Sequence, residues 1–154
     1  MSIHLYPHNE DAYRAVEHML DDKGMAAVIH PTGSGKSMIA FKLAQQHPES
    51  RFIWLSPSEY IYKTQLENTG EVFPNIAYMS YSRLMKNENS IDMLHPDYIV
   101  LDEFHRCGAA EWGRSVRKLL DTYPAAKRLG LSATNIRYLD NQRNMAVEIF
   151  DGNI

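Results

Sequence analysis

The sequence predicts an α/β domain built on a central, mostly parallel sheet of at least five strands, with helices on both faces. Three observations predict it. Short apolar runs alternate along the chain with segments of helical periodicity, the pattern of βαβ units. The first apolar run ends in a Gly-rich turn that opens directly into a helical segment. Two later apolar runs end in polar clusters, Asp102-Glu103 and Ser132-Ala133-Thr134, where a parallel sheet presents its carboxyl edge.

Taken in order, residues 9–22 carry Ala12, Ala15, Val16, Met19 and Leu20 at helical spacing, with Asn9 as N-cap and Lys23-Gly24 as the stop. Met25–Ile29 is a continuous apolar run, as expected for a buried parallel strand. A helix follows from Lys36 to His47, ended by Pro48. Phe52–Leu55 is the second strand. Ser56-Pro57-Ser58-Glu59 reads as a capping box with proline at the first helical position, so a helix should run to Asn68. Ile76–Met79 is the third strand, Ser82–Lys86 a short helix, and Asn87–Ser90 a loop. Tyr98–Leu101 is the fourth strand. A helix over Glu111–Thr122 buries Trp112, Val116, Leu119 and Leu120, and leaves Arg114, Arg117 and Lys118 on a solvated face. Arg128–Leu131 is the fifth strand, and a last helix is expected from Arg137 to Phe150.

With 154 residues, the chain suits one domain, 1–154, with a sizeable core. Hydrophobic residues make up 44% and charged residues 23%, so neither a disordered nor a membrane-embedded class fits. A net charge of −3 does not advertise a nucleic-acid binder, although a groove needs only local positive charge. The single cysteine, Cys107, forbids an internal disulfide and fits a reducing compartment, here the cytoplasm.

The stretch Val28–Ser37 carries the chemistry. Gly33 and Gly35 can take positive φ and leave no side chain in the way, so backbone N–H groups can converge on an anion. Thr32, Gly33, Ser34, Gly35, Lys36 and Ser37 together form a phosphate cradle at a helix N-terminus. Lys36 reaches the outer phosphates of a nucleotide, and the Ser37 hydroxyl is a ligand for Mg²⁺. The full pattern G-x-x-x-x-G-K-[ST] is met except at its first position, which is His30. Asp102 follows four apolar residues, the position from which a carboxylate helps hold Mg²⁺ against Ser37 and the phosphates. Glu103, one residue on, should point to the other face of its strand, where it can polarise an attacking water. The competing reading, a strand capped in solvent, does not account for the cradle in the same chain.

Pro31–Ser37, Asp102-Glu103-Phe104-His105 and Ser132-Ala133-Thr134, in that order, resemble motifs I, II and III of superfamily-two helicases of the DEAD/DEAH type. The resemblance extends over nearly the whole chain and implies the first RecA-like, P-loop NTPase domain of such an enzyme, a three-layer fold. It implies ATP and Mg²⁺ as ligands, with Lys36 on the β/γ-phosphates, Ser37 and Asp102 on the metal, and Glu103 orienting water. His105, Ser132 and Thr134 would couple nucleotide state to domain motion. Leu55–Ser58 looks like motif Ia and Tyr78–Tyr81 like motif Ib, which assigns Pro57, Ser58, Ser80 and Tyr81 to a nucleic-acid backbone. The segment from Leu5 to Glu10 is similar to the adenine-reading stretch, with Tyr6 and Asn9 as its contacts. Tyr60, Tyr62 and Lys63 are either base-stacking residues or an ordinary helix face.

The family has a second RecA-like domain that supplies an arginine finger, and the resemblance places it in the same full-length chain. These 154 residues alone are therefore expected to hydrolyse ATP very slowly. Nucleic acid is the implied partner, DNA favoured over RNA by Asp-Glu-Phe-His with Leu-Gly-Leu-Ser-Ala-Thr; a membrane is not. Two other functions stay open. One is the ATPase subunit of a restriction or remodelling system that translocates on duplex DNA without unwinding it. The other is a nucleotide-binding interaction module.

Overall fold

The structure is a computed structural model that describes residues 5, 7–30, 35–104, 110–132, 136–137, 143–144 and 150. Helix α1 (Pro7–Lys23) leads into strand β1 (Met25–Ile29), helix α2 (Lys36–Gln46) and strand β2 (Phe52–Ser56). Helix α3 (Glu59–Thr69), strand β3 (Ile76–Ser80) and helix α4 (Tyr81–Lys86) follow, then a 3-10 helix over Glu88–Met93. Strand β4 (Tyr98–Asp102), helix α5 (Ala110–Thr122) and strand β5 (Lys127–Ser132) complete the main body. Two short strands, β6 (Ile136–Arg137) and β7 (Arg143–Asn144), pair with each other.

The main sheet has five parallel strands in the order β1-β5-β4-β2-β3. Side chains alternate between its faces. Ala26, Val28, Phe52, Trp54, Tyr98, Val100, Leu129 and Leu131 point into a core with α1, α2 and α3. Ala27, Ile53, Leu55, Ile99 and Leu101 point into a second core with α4, the 3-10 helix and α5. Both faces are buried, so the strands read as unbroken apolar runs. On the first face Phe41 stacks on Trp54 at 4.5 Å, and Tyr62 stacks on Tyr78 at 4.3 Å. The α1–α2 pair is further tied by Lys42, which bonds Glu10 at 3.2 Å and lies over the Tyr13 ring.

Four local expectations are corrected. Helix α1 starts at Pro7 rather than after it, because a proline φ suits the first helical turn; Asn9 is thus inside the helix and not its cap. The capping box at Ser56 does not form. Strand β2 runs on through Ser56, paired in register with Ser80, and α3 begins at Glu59 with Ser58 as N-cap and no side-chain capping bond. The Ser56 hydroxyl is engaged elsewhere, donating to the Ser58 carbonyl at 2.9 Å and meeting the Tyr78 hydroxyl at 2.8 Å. The expected loop at 87–90 is instead the start of the 3-10 helix, drawn inward by the fully buried Ile91 and closed by Ser90 bonding back to Asn87. Finally, a continuous helix from Arg137 to Phe150 is excluded by the antiparallel β6–β7 pair within it. Asp140-Asn141, a pair of turn-favouring residue types, lies between those strands in the sequence.

Candidate functional site

Topology gathers the site before any side chain is considered. Leu131 of β5 is level with Val28 on one side and with Asp102 on the other. The end of β1 and the end of β4 therefore lie two strand spacings apart, about 10 Å, on one carboxyl edge. Parity then fixes direction. Asp102 shares its face with Tyr98 and Val100, the face on which α2 packs, and α2 begins with Lys36-Ser37. The first turn of α2 and the last side chain of β4 are thus delivered to the same place.

At the cradle, the His30 N–H donates to the Ser132 carbonyl at 3.1 Å, which ties the end of β1 to the end of β5. Thr32, Gly33 and Ser34 lie outside the described residues. Gly35 is the N-cap of α2 at φ 81°, ψ 23°, in the left-handed region that glycine enters without strain. It makes no side-chain cap, as a glycine must. Ser37 is buried and Lys36 half-buried beside it.

Asp102 is 2% exposed, and its Oδ2 has no hydrogen-bond partner among the described residues. Burial, reinforced by the charge of Glu103, pushes its carboxyl up from 3.8 to about 7; the Lys36 ammonium and a bond from the Glu103 N–H pull the other way. A desolvated carboxylate under the field of a lysine, with a spare oxygen and a buried hydroxyl nearby, fits a small divalent cation. Magnesium is commonly held by one or two carboxylates with phosphate oxygens and water completing its shell. Consistent with so sparse a donor set, no group of three or more His, Cys, Asp or Glu is gathered for a metal among the described residues.

Glu103 departs from the expected strand alternation. Strand β4 stops at Asp102, and Glu103 sits at φ 53°, a left-handed conformation that costs a non-glycine residue about 1–2 kcal/mol. The turn keeps its charge within reach of Asp102 rather than sending it through the sheet. Phe104 follows, fully buried and edge-on to Phe150 at 4.9 Å. Both rings occupy the space over Gly130, where a Cβ would stand 2.7 Å from Phe104 Cδ1 and 2.6 Å from Phe150 Cε2.

Of the other expected site residues, Ser132 is buried at the end of β5, beside the cradle through its bond from His30. Asn9 is 1% exposed in the first turn of α1. Tyr6, His105 and Thr134 lie outside the described residues. Pro57 and Ser58 lead into α3 at the same carboxyl edge, and the Ser80 hydroxyl caps α4 by accepting from the Arg83 N–H at 3.1 Å. The Tyr81 side chain is fully buried, and its hydroxyl donates to the Asp102 carbonyl at 2.7 Å. Tyr62 is core, whereas Tyr60 is 78% exposed. Sequence reasoning missed the Tyr81–Asp102 bond and the left-handed Glu103. Neither has a local signature. Gly130, a lone glycine inside an apolar strand, did carry the signal of a close approach.

The sequence matches the family model described as "Type III restriction enzyme, res subunit" over residues 2–94 and 75–137. No curated protein sequence matches the chain. Among solved structures it is similar to the Sulfolobus solfataricus SWI2/SNF2 ATPase core in complex with double-stranded DNA, at 12% identity and a TM-score of 0.64, over 87% of this chain and 33% of that one. It is similar to the ATP-dependent Type ISP restriction-modification enzyme LlaBIII bound to DNA, at 15% identity and a TM-score of 0.65, over 88% of this chain and 13% of that one. Domain III of the Thermotoga maritima replication initiation protein DnaA is matched at 15% identity and a TM-score of 0.57, over 97% of this chain and 62% of that one. The chain spans a third or less of the first two. At these identities the structural likenesses establish the fold.

Proposed function

We propose a function from one premise: the chain belongs to the type III restriction enzyme res-subunit family and is a RecA-like domain of the superfamily-two helicase kind. Our reading is that it is the ATP-binding half of a DNA-dependent motor, which hydrolyses ATP with Mg²⁺ when a second RecA-like domain closes on it. The observation that carries the reading is the buried carboxylate of Asp102, on the face and edge where α2 presents Lys36 and Ser37.

In this reading the amides ahead of Lys36 hold the phosphate tail, and Lys36 balances its outer charge. Ser37 and Asp102 hold the metal, which when bound supplies positive charge to the phosphate oxygens. Glu103 accepts a proton from, or orients, the hydrolytic water. Ser132, held beside the cradle, reports that state toward the edge where a partner domain would sit. Pro57, Ser58 and Ser80 meet the sugar–phosphate backbone.

The family description, a restriction-enzyme subunit, keeps a motor that translocates on duplex DNA beside the helicase reading. The test uses the complete protein that contains this domain. ATP turnover should rise on adding duplex DNA, Glu103→Gln should bind ATP without turnover, and Lys36→Ala should lose nucleotide binding. Displacement of a triplex strand without displacement of a duplex strand supports the restriction-type motor; the converse supports a helicase. ATP binding unaffected by any nucleic acid would contradict a motor and leave a nucleotide-binding interaction module.

A further inference from the structure

We propose that Tyr81 is a positioning residue: its buried hydroxyl, bonded to the Asp102 carbonyl at 2.7 Å, holds Glu103 in its left-handed conformation and ties that conformation to the placement of α4. The inference rests on the reading of Asp102 and Glu103 given above.

The Asp102 carbonyl belongs to the peptide plane that joins Asp102 to Glu103. Fixing that oxygen fixes the plane, and with it the starting direction of the Glu103 backbone. Glu103 stands at φ 53°, a region that an unsupported glutamate leaves for the extended or right-handed basins. The hydroxyl is a support of the right kind, since a short bond in a water-free setting has no competing solvent partner. On the β2 side no strand pairing reaches Asp102. β4 is flanked by β5 and β2, and their registers with β4 end at the Asp102–Leu131 and Leu101–Leu55 pairs.

The bond also crosses the sheet edge. The Asp102 carboxylate faces the α1–α2 side, while Tyr81 lies in the opposite core with α4 and α5. Tyr81 is the first residue of α4, immediately after Ser80, whose hydroxyl caps that helix. A shift of α4 therefore moves the tyrosine hydroxyl, and the hydroxyl moves the peptide on which Glu103 turns. Ser80 is the candidate backbone contact at that end. One side chain thus links a strand bound there to the water-orienting carboxylate.

The test is Tyr81→Phe in the complete protein, which deletes one oxygen and keeps the ring in its pocket. Tyr123→Phe is the control. Tyr123 is another partly enclosed tyrosine whose hydroxyl bonds backbone, donating to the Ile91 carbonyl and accepting from the His95 N–H rather than bonding Asp102. Expected for Tyr81→Phe is a DNA-stimulated kcat lower by about 10-fold or more, with KM for ATP within about 2-fold; Tyr123→Phe should change neither. Crystal structures of both variants without nucleotide supply a readout apart from turnover: Glu103 should leave positive φ in Tyr81→Phe and keep it in Tyr123→Phe. Retention of positive φ with unchanged kcat overturns the inference while leaving the site intact, provided Glu103→Gln still abolishes turnover. Equal losses of kcat in both tyrosine variants reduce Tyr81 to a packing role and overturn it too. A wild-type protein without ATPase activity, or an active Glu103→Gln, overturns the site and this inference together.

Discussion

Replacing Asp102 by asparagine tests whether the site stores an electrostatic cost in its ligand-free state. The folded carboxyl is raised from 3.8 to about 7, chiefly by burial. Between those two values the folded state binds a proton that the unfolded state has released, so stability falls as pH rises through that window. At pH 8 the whole shift is felt and costs about 4 kcal/mol; at pH 5 the folded group is protonated and the cost is about 1–2 kcal/mol. Asparagine has the same shape and no titration, so its own offset is the same at both pH values. The variant should therefore gain about 2–3 kcal/mol relative to the wild type on going from pH 5 to pH 8. Equilibrium urea unfolding of the two proteins without nucleotide or magnesium, at several pH values across that range, measures it. Stability curves that run parallel would show that Asp102 is not desolvated in the folded protein, and the case for a poised metal ligand would fall.

Other perturbations have outcomes set by local geometry. Lys36→Met removes an attraction that holds the Asp102 carboxyl down, so the carboxyl should titrate higher still, and the fall in stability with pH in that variant should continue to higher pH than in the wild type. Gly130→Ala drives a methyl group to 2.7 Å from Phe104 Cδ1 and should destabilise by about 1–3 kcal/mol in urea unfolding. Ser80→Ala deletes the cap of α4 and should cost about 1 kcal/mol in the same assay, whereas Ser80→Asp should keep most of it.

Reading this sequence located the strands well because both faces of the sheet are buried. Phe52–Leu55 and Tyr98–Leu101 have no polar interruption, and nothing but a buried strand suits such runs. That the first turn of α2 and Asp102 share one edge was legible for a related reason: parallel topology puts strand ends on one edge whatever the register. What stayed hidden depends on register and on hydroxyl partners. Ser56 has the right neighbours for a capping box, but Tyr78 stands beside it across the β2–β3 pairing and claims its hydroxyl. Tyr81 is next to a candidate contact residue in sequence and buried in space, and only the approach of α4 to the end of β4 shows which matters. The polar 87–90 segment concealed a turn of helix because its one apolar anchor, Ile91, lies just past it. The expected helix over 137–150 gives way to the β6–β7 pairing, a non-local contact that local sequence pattern does not encode.

The most direct measurement of the central claim is calorimetric titration of ATP into the protein with and without Mg²⁺, for the wild type, Lys36→Ala and Asp102→Asn. The account predicts that Mg²⁺ strengthens ATP binding in the wild type, that this strengthening is lost in Asp102→Asn, and that Lys36→Ala binds no ATP in either condition. Undiminished ATP affinity in Lys36→Ala, or the same magnesium effect with and without the Asp102 carboxylate, would contradict it.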